Sequence, residues 1–275
     1  MMEPLGEGDP REVDGYRLTG FLGFGDQGRV YAGYAPEGTP VAVKLLHTAG
    51  GPLPVPEQEP VAFEELASQV AAAARAGRSC QARVLDARLD VPEPYVVTRF
   101  VEGPNLFEMV CEDGALPEDE LYRLAFATAR ELTALHAEGA VCGFIKPLDV
   151  IFGLNGPCLT GLGVTLTLKR APFASRGVAA YSWMAPEVIQ AEDPLPASDV
   201  YGWGACLLFA ATGWHFFRGD VAQILHQILN ARPDLAPLPP PLRPLIGAAL
   251  AKTPSTRPPT ETLLTRLQNL PGTPH

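Results

Sequence analysis

The hydrophobic period of the chain changes once, near Gly103. Before it, apolar and polar residues alternate over short runs. "YRLTGFLG", "GRVYAGYA", "GTPVAVKLL", "ARVLDARLD" and "PYVVTRFVEG" each read as a strand, bounded by turn residues. One helix interrupts them. In "VAFEELASQVAAAARAG" the residues Phe63, Leu66, Val70 and Ala74 recur at helical spacing, and Gly77 suits the stop. A Pro/Gly-rich loop, "HTAGGPLPVPEQEP", precedes it. After Gly103 the pattern is helical. "LPEDELYRLAFATARELTALHAEG" has Pro117 and acids in its first turn and Gly139 at its end. "ASDVYGWGACLLFAATG" is apolar nearly all round, as a central buried helix should be. "DVAQILHQILN", "PLRPLIGAALAK" and "PTETLLTRLQNL" are three more helical pieces. Strands first and helices after predict an α+β fold in two packed parts. The expected division is a tail over 1–15, a small part over 16–103, a large part over 104–270 and a tail over 271–275. "PDLAPLPPPLRP" reads as a rigid connector.

Charge narrows the function classes. The 275 residues carry a net charge of −10 and no basic run, which argues against a nucleic-acid partner. The acidic N-terminus "MMEPLGEGDPREVDG" lacks the apolar centre of a signal peptide. The apolar stretch at 201–217 is short for a membrane span, so no span is expected. Cys80, Cys111, Cys142, Cys158 and Cys206 form no CxxC and read as buried, reduced thiols of a cytoplasmic protein. His47, His136, His215 and His226 form no ligand cluster, and Trp183, Trp203 and Trp214 read as core. The Ala/Pro/Gly/Leu-rich, Lys-poor composition suggests a bacterial, GC-rich source.

Candidate chemistry starts at "LGFGDQGRVY". Gly23, Gly25 and Gly28 stand in G-x-G-x-x-G spacing, followed by Val30. Such glycines let backbone N–H groups approach phosphate oxygens. A dinucleotide fold would need a helix next, whereas "RVYAGYA" is strand-like, so the glycines join a hairpin. "VAVK" then puts Lys44 on the following strand. Glycine loop and strand lysine together are far more specific than either alone.

With these residues the chain resembles the eukaryotic-like serine/threonine protein kinases of bacteria, from about Tyr16 to Leu270. "MAPE" (184–187), "SDVYGWG" (198–204) and "TPSTRPP" (253–259) fall in the family's order. The resemblance implies a bilobal protein-kinase-like fold: a small N-lobe of five antiparallel strands and one helix, and a larger, mainly helical C-lobe. It implies that Arg257 pairs with Glu187 and that Asp199 braces the large lobe. It also puts Ala42 above a bound purine, Thr98 at the gatekeeper position, and the backbone of Arg99 to Val101 along the adenine edge.

The centre departs from that pattern. "CGFIKPLD" aligns with H-R-D-x-K-P-x-N on Lys146 and Pro147. Cys142 then replaces His, Gly143 replaces Arg, Phe144 replaces the catalytic Asp and Asp149 replaces Asn. Phe has no acid–base chemistry. "LTGLGVT" places Gly161, Leu162 and Gly163 where D-F-G should stand, and glycine offers no oxygen to Mg²⁺. Asp149 alone is a weak metal candidate. The helix position that should supply a Glu to Lys44 holds Gln69, with Glu65 one turn earlier. Gly143 lacks the guanidinium that grips a phosphorylated activation segment, so phosphorylation of Thr165, Thr167 or Ser175 is expected not to switch the protein on.

These substitutions predict a pseudokinase that regulates or scaffolds an active kinase or signalling complex. The glycine loop, Ala42 and Lys44 favour ATP binding, weak or independent of metal, and the missing metal ligand weighs against it. A nucleotide-dependent transferase using Lys44, Lys146 and Asp149, or a very slow serine/threonine kinase, is the alternative. The loop at 47–60 and the connector at 235–244 are the candidate partner surfaces.

Overall fold

The computed structural model describes residues 2–25, 28–46, 61–77, 80–160, 181–214 and 217–270; the side chains of 61–65, and so Phe63 and Glu65, lie outside it, as do 161–180 and the 47–60 loop. The small lobe is a six-stranded antiparallel sheet in the order β1-β2-β3-β4-β6-β5: β1 (Glu12–Val13), β2 (Tyr16–Gly25), β3 (Gly28–Tyr34), β4 (Pro40–Leu46), β5 (Val84–Arg88) and β6 (Tyr95–Arg99). Five of these are the predicted strands. The sixth corrects the reading of 1–15 as a tail, because Glu12 and Val13 pair with Arg17 and Tyr16. Asp14 and Gly15 take φ 44° and φ 87° between them, the positive-φ pair that Asp-Gly supplies to a tight hairpin. Further back, Glu3 exchanges both backbone bonds with Phe21 at 2.8 Å.

Helix α1 (Val61–Ala76) packs on the sheet face that carries Val84 and Val96. Its buried stripe differs from the predicted one. Ala74 is exposed, while Val70, Ala72, Ala73 and Ala76 are buried, with Leu66 packed against the same core. The polar Gln69 falls on this stripe, for a reason given below.

The large lobe comprises α2 (Leu106–Asp113), α3 (Glu118–Ala137), the hairpin β7 (Val150–Gly153)–β8 (Gly156–Leu159), α4 (Pro186–Ile189), α5 (Pro196–Thr212), α6 (Val221–Asn230), α7 (Arg243–Ala249) and α8 (Thr260–Gln268). Helix α2 has a full capping box, in which Asn105 Oδ1 accepts from Glu108 N–H and Glu108 Oε2 accepts from Asn105 N–H, both at 2.9 Å. The predicted α5 is the core: Ser198 through Ala211 are buried without a break, and Gly213 ends it at φ 78°. Among the described residues no helix is long and apolar enough to cross a membrane.

Trp203 is buried and donates to Thr128 Oγ1 at 3.1 Å. Trp214 corrects the core prediction, being 58% exposed with Arg218 stacked on its ring. Cys111 is likewise exposed, whereas Cys80, Cys142, Cys158 and Cys206 are buried free thiols. The His136 side chain is 7% exposed and bonded within the large lobe; His47 and His215 lie outside the described residues. The connector is anchored by buried Leu238 and Leu242 and by Arg243, which donates to the carbonyls of Leu238 and Ala236 at 2.8 Å.

Candidate functional site

Strand register decides which small-lobe residues share a face. Val30 lies opposite Lys44, and Lys44 opposite Val96. One rank along, Ala32 faces Ala42 and Ala42 faces Thr98. Side chains directly across an antiparallel sheet point the same way, so Val30, Ala42, Lys44 and Thr98 line one face. It is the α1 side, since Val96 belongs to the core shared with the large lobe, while Val41 and Val43 fill the separate outer core.

The glycines serve the hairpin as well as any ligand. Phe24 pairs with Arg29 and Gly25 with Gly28, so β2 and β3 stay in register to the turn. Gly23 has φ 140°, a conformation open to glycine and strained for other residues. A Cβ on Gly28 would sit 1.8 Å from the Leu45 carbonyl oxygen, so β4 itself demands a glycine there. Outside the hairpin, Asp9 accepts from Tyr31 Oη at 2.8 Å and from Arg29 at 3.4 Å, and Arg29 stacks 5.4 Å over the exposed Phe24 ring. These bonds, Tyr31 first, hold the Asp9 carboxyl below its usual range.

Below the sheet, the segment that leaves β6, residues 100–103, rests on the β7–β8 hairpin. Arg99 N–H donates to Arg83 O at 2.9 Å and Phe100 N–H to Pro40 O at 3.2 Å. Val101 N–H has no partner among the described residues. Gly103 approaches so closely that a Cβ would meet Phe152 O at 2.1 Å, and a Cβ on Gly153 would meet Val101 at 2.6 Å. Ile151 bridges to Asn105 directly beneath. The β7 backbone at Ile151 and Phe152 is thus a support that the sequence reading missed, with the Phe152 ring packed on the core; the short apolar run before "LNG" was its signal.

Gln69 is not aimed at Lys44 through its carbonyl. Its Oε1 accepts the N–H of Val141 at 2.8 Å, tying α1 to the entrance of the catalytic-loop segment. Arg75 adds a second tie, to Glu138, with Nε–Oε2 at 2.9 Å.

The segment from Cys142 to Asp149 keeps its place through one carboxylate. Asp199, fully buried at the start of α5, accepts from Cys142 N–H at 2.9 Å and from Gly143 N–H at 2.5 Å. His136 Nε2 reaches the same carboxylate at 2.8 Å, and its Nδ1 lies 3.2 Å from Thr260 Oγ1 on α8. Gly143 takes φ 76°, which a glycine adopts freely. Phe144, next in line, is 5% exposed and belongs to the core. Lys146 Nζ lies 5.0 Å from its ring centroid and 3.2 Å from Asp149 Oδ2. Asp149 Oδ2 also accepts from Lys146 N–H at 3.2 Å. Gly161, Leu162 and Gly163 lie outside the described residues, as do Thr165, Thr167 and Ser175.

A buried ion pair closes the large lobe. Arg257 grips Glu187 in a bidentate fork at 2.6 and 2.8 Å, and Ser198 Oγ donates to Glu187 at 2.7 Å. Burial pushes the Glu187 carboxyl up, but the bonds from Arg257 and Ser198 outweigh it and hold it below the usual range. This is the pairing that the motifs imply.

A protein kinase domain model matches residues 16–267, and the chain belongs to the protein kinase family. It is 34% identical over 270 residues to the Thermomonospora curvata protein named probable serine/threonine-protein kinase PkwA, covering 97% of this chain and 36% of that one. It is 32% identical over 264 residues to the serine/threonine-protein kinase AfsK of Streptomyces coelicolor, covering 94% and 32%. Its identity to AfsK of Streptomyces griseus is 32% over 256 residues, covering 91% and 31%. The chain spans about a third of the length of these relatives.

As a nucleotide site the small lobe fits, with an apolar roof of Val30 and Ala42, a lysine beside it and a hinge N–H at Val101. As a Mg²⁺ site the described donors fit poorly. Asp149 is already paired with Lys146, and no group of three His, Cys, Asp or Glu donors is gathered among the described residues.

Proposed function

We propose that this chain is a pseudokinase, a protein-kinase fold that acts by binding and not by phosphoryl transfer. The observation that carries this reading is Phe144. Asp199 grips the two N–H groups just before it, which supports its register as the residue standing for the catalytic base. That position holds a buried ring under Lys146, with no proton acceptor for a substrate hydroxyl. Gly161, at the metal-ligand position of the sequence, adds an independent loss.

In this reading ATP binds weakly or without metal, through Lys44, the strand face and the hinge. The protein works on an active kinase or a signalling complex as regulator or scaffold. Its buried free thiols fit a reducing compartment such as the cytoplasm. The second reading, a transferase with rerouted chemistry, draws on the Lys146–Asp149 pair beside the cleft.

The test is incubation with labelled ATP and Mg²⁺ or Mn²⁺, beside an active kinase, following both phosphate and AMP transfer. No transfer is expected. Transfer that Lys44→Ala abolishes would overturn the reading, in favour of the transferase if AMP is carried over and of a slow kinase if phosphate is.

A further inference from the structure

The residues ahead of β2 run along the outer side of the small-lobe sheet. Glu3 bridges to Phe21 on β2. Leu5, Val13 and Tyr16 pack on the outer core, which includes Tyr31, Val41, Val43 and Tyr95. Two carboxylates pin this stretch to the sheet. Asp9 accepts from Tyr31 Oη on β3 at 2.8 Å, and Asp14 accepts from Tyr95 Oη on β6 at 3.0 Å.

Asp9 is the pin beside the glycine hairpin. Its carboxylate also accepts the Gly6 N–H at 2.8 Å, which closes the turn it sits in, and it reaches Arg29 at 3.4 Å. Arg29 follows Gly28 directly and stacks over Phe24, which stands between Gly23 and Gly25. Phe24 meets Phe21 edge-on, with centroids 5.0 Å apart, and Phe21 meets Tyr31 at 5.5 Å. One outer cluster thus joins both strands of the hairpin, and Asp9 is bonded to two of its members.

Strand alternation places Arg29 in this cluster and away from a ligand. Val30 faces the cleft, so Arg29 and Tyr31 on either side of it face outward. The Asp9–Arg29 pair is long and partly exposed, and such pairs contribute little. The Tyr31 bond is short and goes to a charged acceptor, which makes it the stronger tie.

We propose that residues 3–15 are a strap that holds the glycine hairpin in one position, with Asp9 as its positioning residue. A glycine-rich turn is costly to order because it has many conformations to lose. A strap that removes this freedom beforehand leaves less to be ordered when a ligand arrives, and binding tightens. The step from hairpin order to nucleotide affinity rests on the ATP-binding reading above; the hold of the strap on the hairpin does not.

Hydrogen–deuterium exchange of peptides spanning residues 20–31, without nucleotide, tests the hold, with α5 peptides as the reference for an intact fold. Asp9→Ala and Tyr31→Phe are each expected to speed hairpin exchange roughly tenfold relative to α5. Tyr31→Phe keeps the ring and removes only the hydroxyl. Tyr95→Phe cuts the other pin, two strands away from β3, and should leave hairpin exchange unchanged. Unmoved exchange in Asp9→Ala overturns the proposal, and so does an equal rise in Tyr95→Phe. Should Asp9→Ala speed α5 exchange as well, Tyr31→Phe decides. An ATP titration read by melting temperature tests the second step, where Asp9→Ala should weaken binding by roughly tenfold. A loosened hairpin with unchanged affinity overturns the coupling. No ATP shift in the wild-type chain removes the ATP reading, and the exchange data then decide the strap alone.

Discussion

Lys146 stands over the ring of Phe144, its Nζ 5.0 Å from the centroid, and holds Asp149 with the same ammonium group at 3.2 Å. In the kinase arrangement implied by the motifs, this lysine and its neighbours would address a phosphate and a metal. Here they also address one another. Restoring one side chain should therefore not restore the reaction. Phe144→Asp is expected to leave phosphoryl transfer at background, because the metal position still holds Gly161. The double variant with Gly161→Asp is the informative arm, since a general base contributes about 10²–10⁴ in rate only when the phosphate is already neutralised. Transfer of labelled phosphate to a generic protein substrate reads both.

Lys44 gives the second prediction. If the small lobe holds ATP, the nucleotide should raise the melting temperature of the wild-type chain with or without Mg²⁺, and Lys44→Ala should abolish the rise. A rise that requires Mg²⁺ would count against the metal-independent mode.

The Glu187–Arg257 fork is buried at both ends. Removing one partner leaves an uncompensated buried charge, which typically costs about 3–5 kcal/mol. Arg257→Met and Glu187→Gln are therefore each expected to lower urea stability by that order, since each leaves one buried charge without its partner. Denaturant melts of both variants measure it.

Gly28→Ala separates hairpin from ligand. Its Cβ would meet the Leu45 carbonyl at 1.8 Å, so the variant should lose about 1–3 kcal/mol without any nucleotide present. Unchanged stability with lost ATP binding would instead assign Gly28 to the phosphate.

Glu131, buried on α3 with its two oxygens accepting the N–H groups of Gln81 and Leu159, sets a pH dependence of global stability. Its folded value is pushed up to about 7 from the ordinary 4.5, chiefly by burial. The folded chain thus binds this proton more tightly than the unfolded chain does. Stability from this group is fully present below the unfolded value and is lost as pH rises towards the folded one, by an order of about 3 kcal/mol. Wild-type melts across pH 5 to 8, compared with Glu131→Gln, should show that slope in the wild type alone.

Much of the fold was legible because its elements follow simple periods. The five long strands, the apolar α5 and the acid-first α3 stand where alternation and capping put them. The Asp14–Gly15 hairpin was missed although its dipeptide is a turn signal, because only two residues, Glu12 and Val13, pair beyond it. Helix α2 was missed because eight residues give a periodicity too short to separate from a loop. The buried face of α1 was misplaced at Ala74 because a polar residue, Gln69, belongs to it, and only the distant Val141 N–H explains why. Motif spacing singled out Val30, Ala42, Lys44 and Thr98, and the strand register sets them on one sheet face. The role of Glu131 had no local signal at all. Its partners lie 50 and 28 residues away, and an acid inside an amphipathic helix reads as surface until those partners are seen.

Asp199 holds the catalytic-loop segment by the N–H groups of Cys142 and Gly143, and main-chain groups are the same whatever side chain follows. These two anchoring bonds are therefore indifferent to the identity of residue 144. What side chain stands at 144 is then a matter for its own surroundings, and here those surroundings are apolar core on one side and the Lys146 ammonium on the other.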